Sequence, residues 1–130
     1  MKNILIFGAS GHGRVIIDII EKEGKYNVAG LIDSNKPVAE SIYGLVNLGN
    51  ENDMADLLLS NQVYGGIVAI GDNFTRWQMY ERIKSIAPEF KFISTIHPNA
   101  NIAHDISIGE GSVIMAGVTI GPCSLGHLEK

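Results

Sequence analysis

The sequence is poor in cysteine, in charge and in long apolar runs, and each shortage removes a class of protein. Its one cysteine, Cys123, cannot close an internal disulfide and has no second thiol for a cysteine-based metal site. A reducing, cytoplasmic compartment and no bound metal are therefore expected. Charged residues are 18% of the chain and hydrophobic residues 45%, a balance that fits a soluble globular fold rather than a disordered segment. The formal charge of −4 offers nucleic acid or anionic lipid no general attraction, so neither is expected as a partner. The apolar run Ile4 to Phe7 is cut off by Gly8, too soon for a signal-peptide core and far too soon for a membrane span. It reads as a buried β-strand. At 130 residues the chain has room for one ordinary domain and a small appendage.

What is present changes grammar near residue 100. Before that point strands and helices alternate. Ile4 to Phe7 is a continuous apolar strand, and Val15, Ile16, Ile19 and Ile20 follow at helical spacing, with Asp18 and Glu21 on the wet side. Gly24 ends this helix, and Val28 to Ile32 forms a second strand ending at Asp33. A short strand is expected around Leu45 to Leu48, a helix over Asp53 to Ser60 and a strand over Ile67 to Ile70. A helix over Thr75 to Ile86 should turn Trp77, Tyr80, Ile83 and Ile86 inward and stop at Pro88, with a last strand over Phe92 to Ile96. Such alternation predicts an α/β, Rossmann-like domain over residues 1–97, with a parallel sheet covered on both faces.

The first strand runs into Gly8-Ala9-Ser10-Gly11-His12-Gly13, a G-x-x-G-x-G loop rather than the dinucleotide fingerprint G-x-G-x-x-G. Glycines let the backbone approach a ligand closely, and the helix that follows offers free N–H groups to a phosphate. Ser10, Gly11, His12 and Gly13 are therefore candidate ligand contacts, with Arg14 as a further charge. Asp33, at the end of the second strand, can accept from hydroxyls or a base N–H. Gly71 and Asn73, after the next strand, complete the candidate set, although Asp72 or Asn73 capping a helix explains that segment equally well. The plainer alternative for the loop is a tight strand-to-helix turn, with Asp33 capping a bend. His12, flanked by glycines and with no acid placed to orient it, reads as a binding residue rather than a general base. No residue is assigned a catalytic role.

From Ile102 an isoleucine recurs every six residues, dividing the chain into IAHDIS, IGEGSV, IMAGVT and IGPCSL. A triangular parallel β-helix requires this register, with an aliphatic residue inward on each face and small residues at the corners. A hairpin would alternate at two. Residues 98–125 are expected to form the first one to one-and-a-third coils, and 126–130 an irregular tail, since Gly126 stands where the next aliphatic residue is due.

Together, GASGHGR at Gly8 to Arg14, LID at Leu31 to Asp33, AIGDN at Ala69 to Asn73, IHPNANIA at Ile96 to Ala103 and the hexads resemble the sugar O- and N-acetyltransferases of the NeuD/PglD type, which act on sialic acid and bacillosamine. The resemblance covers essentially residues 1–121. It implies a sugar-nucleotide-binding domain followed by a left-handed hexapeptide β-helix, acetyl-CoA as co-substrate held between neighbouring coils, and a homotrimer. It implies a UDP-sugar, an amino sugar or sialic acid as the acceptor. The family's catalytic histidine lies in a segment resembling N-T-x-x-x-I-x-H-x-C, and none of His97, His104 or His127 stands in such a segment. The expectation is an acetyltransferase-family chain that stops early in the β-helix, lacks the acetyl-CoA site and has little turnover alone. The alternatives are a stand-alone sugar-nucleotide-binding or regulatory module and, on the α/β half only, an NAD-dependent oxidoreductase.

Overall fold

The computed structural model describes residues 1–8, 11–33, 37, 40–49, 54–59, 62–70, 72–102, 113–114 and 119–120, with backbone alone at 11, 12, 73, 113, 114, 119 and 120. The chain opens with β1 (Lys2–Phe7), α1 (Gly11–Glu23) and β2 (Tyr26–Ile32), a pair of parallel strands joined by a helix. A small hairpin of β3 (Ser41–Ile42) and β4 (Leu45–Val46) follows, then α2 (Met54–Leu58), β5 (Gly65–Val68), α3 (Asn73–Ile86) and β6 (Lys91–Phe92). The sheet order is β2-β1-β5-β6, and every pairing is parallel. Since β2 lies on one side of β1 and β5 on the other, the strand order reverses at β1, which opens a crevice beyond the carboxyl ends of β1 and β5.

Both faces of this sheet are covered. Ile4, Leu5, Ile6 and Phe7 are fully buried, and alternation along the strand sends them to two cores. Ile4 and Ile6 pack with Ile16, Ile19 and Ile20 of α1, whereas Leu5 and Phe7 pack with Met54, Leu58 and Ile83 of the other layer. In α1 the buried set includes Ile17, and Val15, expected inside, is 40% exposed. In α3, Ile83 is buried, but Trp77 is 58% exposed. The six-residue step from Trp77 to Ile83 amounts to about 600° at about 100° per residue, so Trp77 stands about 120° off the buried stripe.

The strand expected over Phe92 to Ile96 is two strands. Phe92 ends β6 within the sheet, and Ile93 donates its N–H to the carbonyl of Gly66 at 2.9 Å. The chain then leaves the sheet, and β7 (Thr95–Ile96) pairs in parallel with β9 (Val113–Ile114). Likewise β8 (Asn101–Ile102) pairs in parallel with β10 (Thr119–Ile120). Both ladders join residues 18 apart, three hexads, so each coil has three faces. Ile96 faces Ile114 as Ile102 faces Ile120, which carries the isoleucine register one hexad ahead of Ile102 and ahead of the boundary expected at residue 98. Among the described residues no helix is long and apolar enough to cross a membrane.

Candidate ligand site

The carboxyl ends of β1, β2 and β5 meet at one edge, and the loops leaving them carry the candidate residues. Gly8 follows β1 with φ +107, and its N–H donates to the carbonyl of Ile32 at 2.9 Å. A Cβ there would sit 2.9 Å from the Ala69 carbonyl oxygen, so both its φ and its neighbours require glycine. Gly11, His12 and Gly13 open α1, whose first turn carries no acidic residue and whose leading N–H groups have no partner within the helix. At Gly13 a Cβ would meet only ordinary contacts, the Gly8 oxygen at 3.4 Å and the Ala69 Cβ at 3.6 Å. Packing therefore demands glycine at position 8 but not at 13.

Asp33 leaves the neighbouring strand. Its N–H donates to Asn47 Oδ1 at 3.2 Å and to the Gly49 carbonyl at 3.3 Å, and its carbonyl accepts from Asn47 Nδ2 at 3.0 Å. Asn47 is fully buried, also donates to the Pro37 carbonyl at 3.1 Å, and accepts from Gly49 N–H at 3.4 Å. It bridges in parallel to Leu31, so the segment after β4 runs along β2 and holds the Asp33 loop in place. Asn47 escaped the sequence reading. Its only signal was a polar residue inside the apolar stretch Leu45 to Leu48.

On the other side of β1, the segment after β5 leads to Asp72, which caps α3. Its carboxylate accepts from Thr75 N–H at 2.8 Å and from Thr75 Oγ1 at 2.7 Å. The Thr75 hydroxyl and, after it, the Thr75 N–H hold this carboxyl below its ordinary value of 3.8. Capping thus belongs to Asp72, and Asn73 is the first helical residue, described by its backbone alone. Ser10 and Gly71 lie outside the described residues. The fold brings Gly11, His12, Gly13 and Asp33 to the same sheet edge, with the α3 N-terminus beyond β5. Arg14 turns elsewhere, its guanidinium 5.9 Å from the centre of the Tyr43 ring on the hairpin.

Two other features fall outside this edge. His97 is buried, its Nδ1 accepts from Asn99 N–H at 3.0 Å, and its carbonyl accepts from Ala100 N–H at 2.9 Å, so it shapes the turn into β8. His104 and His127 lie outside the described residues. Tyr80 and Lys84 do have the Tyr-x-x-x-Lys spacing used by short-chain dehydrogenases. Their packing assigns them otherwise: the Tyr80 ring lies 4.6 Å edge-on to Phe92, and Lys84 Nζ stands 5.8 Å over the same ring. A groove of about 970 Å³ lies at the opposite edge of the sheet, lined by Lys2, Asn3, Val63, Tyr64 and Phe90. Among the described residues no cluster of His, Cys, Asp and Glu could hold a metal ion.

Residues 3–83 match the PglD N-terminal domain. The chain belongs to this family. Residues 93–122 match the bacterial transferase hexapeptide (six repeats), a span that takes in β7 as the ladders do. The PglD-type chain is 33% identical over 118 residues to UDP-N-acetylbacillosamine N-acetyltransferase of Bacillus subtilis, covering 89% of itself and 52% of that protein. It is similar to a mutant perosamine N-acetyltransferase from Caulobacter crescentus solved with CoA and GDP-perosamine, at 27% identity and a TM-score of 0.81, over 93% of this chain and 55% of that one. The acetyltransferase domain of PglB from Neisseria gonorrhoeae, solved with acetyl coenzyme A, matches at 28% identity and a TM-score of 0.73, over 91% and 55%. The chain therefore spans about half the length of the relatives it matches. A Rossmann-like parallel sheet leading into a hexapeptide β-helix is the architecture of this PglD-type chain.

Proposed function

We propose that this chain is the nucleotide-sugar-recognising part of an acetyltransferase that moves an acetyl group from acetyl-CoA to a nucleotide-linked amino sugar. One observation carries the reading: the acid-free first turn of α1 stands at the sheet's switch point, with a glycine at 13 that packing does not require. The free N–H groups of that turn receive the ligand's diphosphate, and Gly13 lets the phosphate oxygens approach the backbone. Asp33 accepts from a ribose hydroxyl or a base N–H, its loop fixed by Asn47. Ser10, His12, Gly71 and Asn73 add hydrogen bonds around the diphosphate and sugar. The named relatives, which act on or are bound to UDP- and GDP-linked amino sugars, support this ligand class. In the transfer the sugar nitrogen or oxygen gains the acetyl group, the thioester breaks and CoA leaves as its thiol. The homotrimer and an acetyl-CoA site between coils belong to the same reading. No part of these 130 residues matches the family's catalytic-histidine segment, so acetyl transfer by them alone is expected to be negligible.

Calorimetric titration tests the proposal. UDP- and GDP-linked amino sugars should bind the chain, and acetyl-CoA should not. Binding of neither class would overturn the reading. Measurable acetyl transfer by the chain would overturn its inactivity. His12→Ala should weaken nucleotide-sugar binding in the same titration. Unchanged affinity in that variant would remove its part in the site.

A further inference from the structure

The α/β domain meets the coil through a polar contact that neither the glycine loop nor the hexads account for. Helix α1 has one end at the candidate ligand site and the other against β7. At that far end Thr95 is fully buried, and its hydroxyl donates to Glu23 Oε1 at 2.9 Å. The Glu23 side chain is only 11% exposed, and its other oxygen lies 3.6 Å from Lys25 Nζ. The Lys25 side chain is 65% exposed, so that ion pair contributes little, and the hydrogen bond from Thr95 carries most of the contact. Thr95 is also the first residue of the coil ladder, paired with Val113. A stacked coil needs something to cover its first turn, because an open end exposes both apolar side chains and unpaired backbone.

We propose that the C-terminal end of α1 is the N-terminal cap of the β-helix, and that Glu23 is the positioning residue that fixes the first coil on it. The hydroxyl of Thr95 allows one orientation of β7 against the helix, and β9 then stacks on β7 in register. The coil is thereby held to the same rigid helix whose other end faces the ligand crevice. Glu23 touches no substrate under this assignment.

Amide hydrogen exchange on the full 130-residue chain tests it. Thr95→Val, which keeps the shape and removes the hydroxyl, should speed exchange in β7 to β10 roughly tenfold, the order expected when a buried carboxylate loses its donor. Amides of β1 and β5 should not change. Glu23→Ala should do the same from a position that tolerates the change at a helix end. The double variant should be no worse than either single one, as for two halves of a single contact, and Thr95→Ser should restore protection. Unchanged coil exchange in both single variants, additive effects in the double variant, or failure of Thr95→Ser to restore would each overturn the assignment. If Thr95→Val does not fold, Glu23→Ala alone decides by the same coil readout. None of these measurements involves a nucleotide sugar, so the cap and the ligand proposal stand or fall separately.

Discussion

Gly8 and Gly13 bracket one turn and are glycines for different reasons. Gly8→Ala puts a Cβ against the Ala69 oxygen at a positive φ and should cost about 1–3 kcal/mol in a urea melt. Gly13→Ala has room and replaces a helical glycine, so it should leave stability unchanged or raise it by about 0.5–1 kcal/mol while weakening nucleotide-sugar binding. That opposition separates a ligand role from a packing role. Asn47→Ala strips hydrogen bonds from the Asp33 loop and should destabilise by about 2–3 kcal/mol. Asn47→Asp should be at least as harmful in the same melt, since it turns an oxygen toward the carbonyls of Asp33 and Pro37. At Asp72 the folded carboxyl sits below its ordinary 3.8, so its capping contribution is complete above that pH and disappears as pH falls through the lowered value. The Tm gap between the protein and Asp72→Ala should therefore be widest near neutral pH and close as pH falls below the ordinary carboxylate range. A gap that stays constant would contradict the cap. The glycine loop, His12 and Asp33 were legible as candidates because backbone chemistry dictates glycine-rich turns. Asn47 was not, because Asp33 and Pro37 reach its side chain only when β2 and the segment after β4 lie side by side.

Among the elements, β1, α1 and β2 were legible from apolar run and period, since β1 and the end of β2 are buried on both faces and α1 buries one stripe. The misreadings fell where a pattern ended. Trp77, the single tryptophan, lies off the buried stripe of α3 and stacks on the equally exposed Phe74, ring centres 6.2 Å apart. Trp77→Ala should change stability by no more than about 0.5 kcal/mol, against about 2–5 for Ile83→Ala on the buried face. The native fluorescence of Trp77 should also be open to a water-soluble quencher. A shielded emission would contradict the exposed placement. The division between β6 and β7 was not legible, because Phe92-Ile93-Ser94-Thr95-Ile96 can run on as one β-rich stretch and only its pairing partners divide it.

At the scale of the whole molecule, the six-residue isoleucine register announced the coil, and the 18-residue ladders give it three faces. The sequence could not show where the coil attaches, since that depends on the meeting of Glu23 and Thr95, 72 residues apart. Nor could composition decide which sheet edge binds. The reversal of strand order at β1 favours the edge beyond Phe7 and Val68, whereas a groove of about 970 Å³ lies at the other, beside Lys2 and Tyr64. Backbone chemical-shift mapping with a UDP-linked amino sugar separates the two edges directly. The account predicts shifts at Gly8, Gly13, Asp33 and Asp72, with Tyr64 and Phe90 undisturbed. Shifts confined to Lys2, Tyr64 and Phe90, or none anywhere, would contradict it.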